Sequence, residues 1–420
     1  MDTGHLDSIA DVQAHLTQLE ADIERQQLVL HNLKQTRLEV LHQLNALRDP
    51  IARLPLEISS RIFAHCAPAT ICEPLVLLHV CHRWTQIALF STDLWAVRIC
   101  FWTPIKIGHF NLLREWLFRA KTAPLTFFLR DHPSAVCLQR FSSLIAPHAS
   151  HIREFSLDSR CYLDTKLFGP RAHYSALERV HVSSIGHTED PVSMKADQIF
   201  RVLRAAPLLK AFIVDASYMR QSSIDSNIRH RHEHLTTLTT RLAWFSSLLP
   251  HLTLPSLRHL EMRLHSSNDL TILTSFLTRS APPLRTLALW DVVQNNFGTP
   301  REAIQRLLDS IPHLTRLRIV RGFPLDNLLI EILTVNPNAL PNLADFMIQL
   351  RSKNTPDWYS DVLRMLSALS ERGTMFKRFW VELANRDSDG EADDVFQLTP
   401  NDRDVLEDLR GKGIRIDFGL

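Results

Sequence analysis

The stretch Arg301-Glu-Ala-Ile-Gln-Arg-Leu-Leu-Asp-Ser-Ile-Pro-His-Leu-Thr-Arg-Leu-Arg-Ile-Val320 sets the reading of most of the chain. Ile304, Leu307 and Leu308 recur at helical spacing, so residues 302–311 are expected to form a helix with one apolar face. Pro312 stops that helix and pre-sets an extended backbone. Leu314, Leu317 and Ile319 then follow the order apolar, two others, apolar, one other, apolar, which suits a short strand.

The same spelling recurs in both directions. It appears at Leu94-Val97-Ile99, Ile152-Phe155-Leu157, Leu177-Val180-Val182, Leu209-Phe212-Val214, Leu257-Leu260-Met262 and Leu284-Leu287-Leu289, and after the quoted stretch at Leu343-Phe346-Ile348 and Phe376-Phe379-Val381. The period is about 25 to 33 residues, with one longer gap between Leu209 and Leu257. Helical patterns lie between the strands, as at Ala196 to Ala205 with Ile199, Val202 and Leu203 on one face. Pro207, Pro255, Pro283, Pro312 and Pro341 stand just before strands. This part of the chain, residues 98–420, is therefore α/β. The spelling resembles leucine-rich repeats, which implies a solenoid whose helix–strand units bury their apolar faces only by stacking on neighbours. An ordinary α/β domain with recurring Leu-rich strands is the alternative.

At the other end, residues 1–49 carry a heptad stripe through Leu16, Leu19, Ile23, Gln26, Leu30, Leu33, Arg37, Val40, Leu44 and Leu47. The surrounding residues favour helix, with no Gly or Pro until Pro50 biases Asp49 away from the helical region. A long helix is expected. Two readings of its stripe stay open, a coiled coil with a second copy of the chain and a fold-back onto the protein's own body. In a coiled coil, Gln26 and Arg37 would set the register.

Between these parts, residues 50–97 begin Pro-Ile-Ala-Arg-Leu-Pro-Leu-Glu-Ile-Ser-Ser-Arg-Ile-Phe63. Pro55 fits a first helical turn without loss of a hydrogen bond, and Glu57 meets the positive end of the helix dipole. Ile58, Ile62, Phe63 and Cys66 are expected on one side of that helix. Leu77, Val80, Cys81, Trp84, Ile87 and Ala88 supply apolar faces to one or two further helices. A unit this small buries too little surface to be robust alone, which suits a module completed by a partner.

The pairs Leu54-Pro55, Glu57-Ile58, Ile62-Phe63, Val80-Cys81, Arg83-Trp84, Ile87-Ala88 and Leu94-Trp95 stand in the order and near the spacing of the F-box motif. In layout the chain is similar to fungal F-box proteins with a predicted coil ahead of the box and a Leu-rich tail behind it. The resemblance implies a three-helix module that binds a Skp-type adaptor and, through it, a cullin. It also implies a chain that does no chemistry itself and selects an unknown protein substrate for ubiquitin transfer through its repeats. By the same resemblance Leu54, Pro55, Ile58, Ile62, Val80 and Trp84 lie at or just beneath the adaptor interface, with a place in the module's own core as the alternative for each. A scaffold that delivers no substrate is the rival function, and a hydrolase in the C-terminal region a weaker one.

Composition narrows the remaining classes. Forty-seven basic against 45 acidic side chains give a formal charge of +2, which provides no global field to recruit nucleic acid or an anionic membrane. No apolar run approaches the roughly 20 residues of a membrane span, and no secretory leader opens the sequence. Six cysteines without paired spacing point to a reducing compartment, cytoplasmic or nuclear. No metal or cofactor is expected. His230, His232 and His234 form the densest histidine cluster, but Thr236 stands where a second zinc-protease ligand would be, and a solvated loop titrating near neutral pH is expected there. The acidic run Asp387 to Asp394 lacks the remaining spelling of a calcium loop and reads as a solvated loop.

Overall fold

The computed structural model describes residues 9–48, 50–65, 73–96, 99–101, 107–130, 135–158, 167–169, 172–183, 193–215, 218–220, 229–242, 245–290, 301–320, 325–350, 356–371, 376–383 and 399–419. The chain is α/β, with a long N-terminal helix and a large parallel sheet. It divides into two compact units, residues 1–98 with 118–123, and residues 99–117 with 124–420.

In the first unit, α1 (Ile9–Arg48) is a single helix of 40 residues, roughly 60 Å long at 1.5 Å per residue. The aliphatic residues of its heptad stripe, from Leu16 to Leu47, are each between 40% and 86% exposed, so among the described residues nothing covers the stripe. A 3-10 turn at Pro50–Arg53 follows, and the Leu54 amide donates to the Ile51 carbonyl at 2.9 Å. Four short helices come next: α2 (Leu56–His65), α3 (Glu73–Leu77), α4 (His82–Phe90) and α5 (Thr92–Ala96).

Phe63, Cys81, Ile87, Ala88, Leu94 and Trp95 form the core of this unit. Two buried polar groups of this core are paired: Trp95 Nε1 donates to Ala88 O at 2.7 Å, and Ser91 Oγ is 2.9 Å from Ser60 Oγ, whereas the buried Trp84 Nε1 has no hydrogen-bond partner among the described residues. Ser91 also separates α4 from α5, because its backbone leaves the helical region (φ −80°, ψ 88°). The apolar residues expected on one or two further helices fall on two, Leu77 on α3 and Trp84, Ile87 and Ala88 on α4. Leu94, expected to open a strand, sits in α5 instead, buried beside Trp95.

The second unit is built on twelve parallel strands hydrogen-bonded in chain order: β1 (Ile99–Phe101), β2 (Leu125–Arg130), β3 (Ile152–Asp158), β4 (Arg179–Ser183), β6 (Ala211–Asp215), β9 (Thr237–Thr240), β11 (His259–Arg263), β12 (Thr286–Trp290), β13 (Arg316–Val320), β14 (Asp345–Leu350), β15 (Arg378–Leu383) and β16 (Arg415–Gly419). Short strands β5 (Ser193–Lys195) and β7 (Tyr218–Arg220) pair with each other, as do β8 (His230–Arg231) and β10 (Leu252–Thr253). The helices are α6 (Ile107–Ala120), whose last three residues belong to the first unit, then α7 (Ala135–Ile145), α8 (Ala196–Ala205), α9 (Ser267–Ser280), α10 (Arg301–Asp309), α11 (Leu325–Val335), α12 (Pro356–Glu371) and α13 (Pro400–Gly411). From α9 to α13 each packs on the next. Among the described residues no helix is long and apolar enough to cross a membrane.

Register turns the repeated spelling into continuous rows. The middle apolar residue of each strand pairs with its counterpart, from Phe127 through Phe155, Val180, Phe212 and Leu238 to Ile416, and every member of that row is buried. Phe127 and Phe155 stack with centroids 5.7 Å apart, and Phe346 meets Phe379 edge-on at 5.6 Å. The longer gap between Leu209 and Leu257 holds β9, whose buried residues are Leu238 and Thr240, with buried Leu235 just ahead of it. A threonine in the third slot hides that strand from an apolar count. β2 and β16 were also unmarked, since Pro124 and Gly413 stand where the first apolar residue is expected; Gly413 has φ +82°, a conformation costly for other residues.

The prolines act through a repeated turn. Leu209, Leu257, Leu314 and Leu343 donate their amides to the carbonyls three residues earlier, which places Pro207, Pro255, Pro312 and Pro341 at the second turn position, where their fixed φ fits. Beside these turns runs a second ladder. The carbonyls of Glu178, Lys210, Thr236, Arg258, Arg285, Thr315 and Ala344 each accept two amides from the next unit at 2.8–3.1 Å.

Candidate functional site

On α2, Ile58 and Ile62 are one helical turn apart and stack along one stripe, 44% and 38% exposed, with exposed Pro55 just ahead of them. Ser59 and Phe63, one position further on, are turned about 100° and fully buried. Ile58, Ile62 and Phe63 were expected on one side of the helix. Instead the boundary of the core runs between adjacent positions of the helix. The Pro55 carbonyl accepts both the Ser59 amide and the Ser59 hydroxyl at 3.1 Å, which fixes the start of α2 and hence the rotation of the stripe.

The other residues assigned to this surface are less open. Leu54 and Val80 are half-buried. Trp84 is half-buried and packs against Phe63 with centroids 5.0 Å apart, so its ring joins the core and only part of it faces outward. Leu56, Val76, Leu89 and Phe90 are exposed apolar residues of the same unit that the motif comparison did not single out. Nothing in their spelling separates them from core leucines. The unit has small helices and few inward positions, and the excess of apolar residues is left at its surface.

Only His234 of the histidine cluster is exposed as a solvated loop requires, whereas His230 is half-buried in β8. His232 is 3% exposed, and its Nε2 lies 3.0 Å from the Ala206 carbonyl, which makes the ring a structural pin between segments 26 residues apart. Burial is the main cause holding both His230 and His232 below the ordinary imidazole value; their mutual repulsion and Arg204 lower His230 further. Their rings lie 6.1 Å apart. Among the described residues no three His, Cys, Asp or Glu side chains converge to hold a metal ion. Cys66, Cys72 and the acidic run 387–394 lie outside the described residues.

The sheet face opposite the apolar rows carries polar residues from the position between the last two apolar ones, among them His181, Glu261 and Arg318. Near the strand ends the Arg241 and Arg318 guanidinium groups lie 4.1 Å and 5.2 Å from the Trp290 ring centroid. Arg241 is also 3.5 Å from Asp215 and 3.6 Å from Glu261. Strand alternation alone would have marked Arg318 as outward-facing, but the convergence on Trp290 depends on register across β6, β9, β11, β12 and β13. In comparisons with known proteins, no family model matches this chain, and no curated protein matches it.

Proposed function

We propose that this chain is an F-box substrate receptor of a cullin-RING ubiquitin ligase. The observation that carries the reading is the apolar stripe Pro55, Ile58 and Ile62, exposed beside the fully buried Ser59 and Phe63. A small unit that leaves aliphatic side chains at its surface gains by docking them on a partner, at about 1.5–3 kcal/mol for each one fully buried. The seven motif pairs in register name that partner as a Skp-type adaptor, which links the chain to a cullin. Leu54, Val80 and Trp84 contribute from just beneath.

The sheet of the second unit is read as a leucine-rich-repeat solenoid, because its strands follow in chain order with one repeated spelling. Its polar face, around Arg241, Trp290 and Arg318, is the surface offered to a protein substrate. The chain acts by proximity in the cytoplasm or nucleus, holding substrate lysines near a charged conjugating enzyme, and carries no catalytic group itself.

The test is co-purification with a Skp-type adaptor, comparing the native chain with the double variant Ile58→Asp, Ile62→Asp. Both positions are exposed, so circular dichroism is expected to show an unchanged fold. Binding by the native chain and its loss in the folded variant is the expected result. A native chain that ignores the adaptor overturns the proposal.

A further inference from the structure

We infer that the exposed stripe of α1 is covered by a second copy of this chain, and that the two helices run antiparallel. The inference is independent of the adaptor reading. It rests on three features of the helix: its charge distribution, the place of Arg37, and the side chains flanking the stripe.

The charges divide between the two halves of α1. Asp11, Glu20, Asp22 and Glu24 stand in the first half against Arg25 alone, and Arg25 is held by Asp22 at 3.0 Å. Lys34, Arg37 and Arg48 stand in the second half against Glu39 alone. A parallel pair superposes like on like. An antiparallel pair lays the acidic half of each helix along the basic half of the other, and also opposes the two helix dipoles.

The heptad has an antiparallel register in which every stripe layer closes. Leu16 faces Val40, Ile23 faces Leu33 and Val12 faces Leu44, so these three layers are apolar on both sides. Gln26 faces Leu30 at the centre, where Gln27 of the other copy can take its hydrogen bonds. Arg37 decides between the arrangements. In a parallel dimer it occupies the seam directly opposite the other copy's Arg37, with Thr36 and Leu41 beside it and no acid. In the antiparallel register it faces Leu19, with Glu20 on one flank and Asp22 on the other.

The flanking positions agree. Glu20 meets Lys34 of the other copy twice in the antiparallel pair and not at all in the parallel one. Val29, exposed at the edge of the stripe, meets itself at the centre, whereas a parallel pair sets it beside Lys34. The consequence is geometric. The C-terminal ends of the two α1 helices, which lead into the two helical units, are held apart by roughly the 60 Å length of the helix. A parallel pair would put them side by side.

The experiment uses the full chain. Light scattering after gel filtration is expected to give a dimer, and a monomer at micromolar concentration overturns the inference. Orientation is read by disulfide trapping with Leu16→Cys and Val40→Cys chains, against the native chain as background. Cross-linked dimer is expected only when the two variants are mixed; cross-linking of Leu16→Cys with itself overturns the antiparallel assignment. Arg37→Glu is expected to weaken dimerisation at least about tenfold, and adding Glu20→Lys together with Lys34→Glu, which keeps opposite charges at that flanking pair, to restore it. Failure of that restoration in chains that keep native helicity likewise overturns the inference.

Discussion

His232 shows how a polar residue can be structural without being a site. Its ring is buried, its Nε2 reaches the Ala206 carbonyl, and His230, Arg204, Glu233 and His234 are the charged or titratable groups around it. Burial lowers the folded-state pKa of His230 and His232, so the unfolded chain binds protons more readily than the folded one. The stability this neutral pair contributes is fully present above the ordinary value of 6.5 and is lost as pH falls below it through the folded pKa values. The thermal midpoint is therefore expected to fall between about pH 7 and about pH 5, and to fall less in His232→Gln, which keeps a donor for Ala206 O. An equal fall in both proteins removes the pair from the account. The sequence showed three histidines two apart but not what lay over them. Burial of His232 depends on the turn at Ala206, which is distant in the chain, and local composition carries no trace of it.

At the scale of elements, legibility followed the period of the pattern. α10 and β13 were plain in the stretch 301–320 because apolar spacing changes there from helical to strand-like across one proline. β9 was missed because Thr240 fills a buried slot, and β2 because Pro124 replaces the leading apolar residue. The carbonyl ladder from Glu178 to Ala344 was beyond reading altogether, since backbone groups have no spelling. On α2 the helix itself was legible, but the rotation that buries Phe63 and exposes Ile58 and Ile62 was not, because all three are apolar. The turns permit a separation of effects. Pro312 is exposed and contributes only its fixed φ, so Pro312→Ala is expected to cost about 0.4–1 kcal/mol, through the unfolded state. Leu314, two residues on and fully buried, closes the same turn, and Leu314→Ala is expected to cost about 2–5 kcal/mol. Urea midpoints compare them, with unchanged slopes confirming that the same surface unfolds. If Pro312→Ala is as damaging as Leu314→Ala, the turn does more than pre-set one dihedral.

The whole molecule poses the question of cooperativity. Every strand of the large sheet bonds only to its neighbours in chain order, and from α9 to α13 each helix packs on the next. Stability in such an array is close to a sum of unit and interface contributions, because among the described residues the strands of the large sheet pair only with their neighbours. Strands near the middle, β11 to β13, have partners on both sides and fully buried Leu260, Leu287 and Leu317 in their shared row. β16 has one neighbour, β15, and a row residue, Ile416, that is slightly less buried. Opening from an end exposes one interface, whereas opening the middle exposes two. Amide hydrogen exchange in the native protein is therefore expected to be slowest in β11 to β13 and to quicken stepwise through β14 and β15 to β16. A domain whose core closes on itself would instead protect its strands nearly alike, up to the global unfolding free energy. Leu287→Ala sharpens the contrast, since in the array it weakens the interfaces on both sides of β12 and raises exchange there before it reaches β16. Uniform protection in the native chain, with uniform loss in the variant, would show one cooperative unit and remove the nearest-neighbour account.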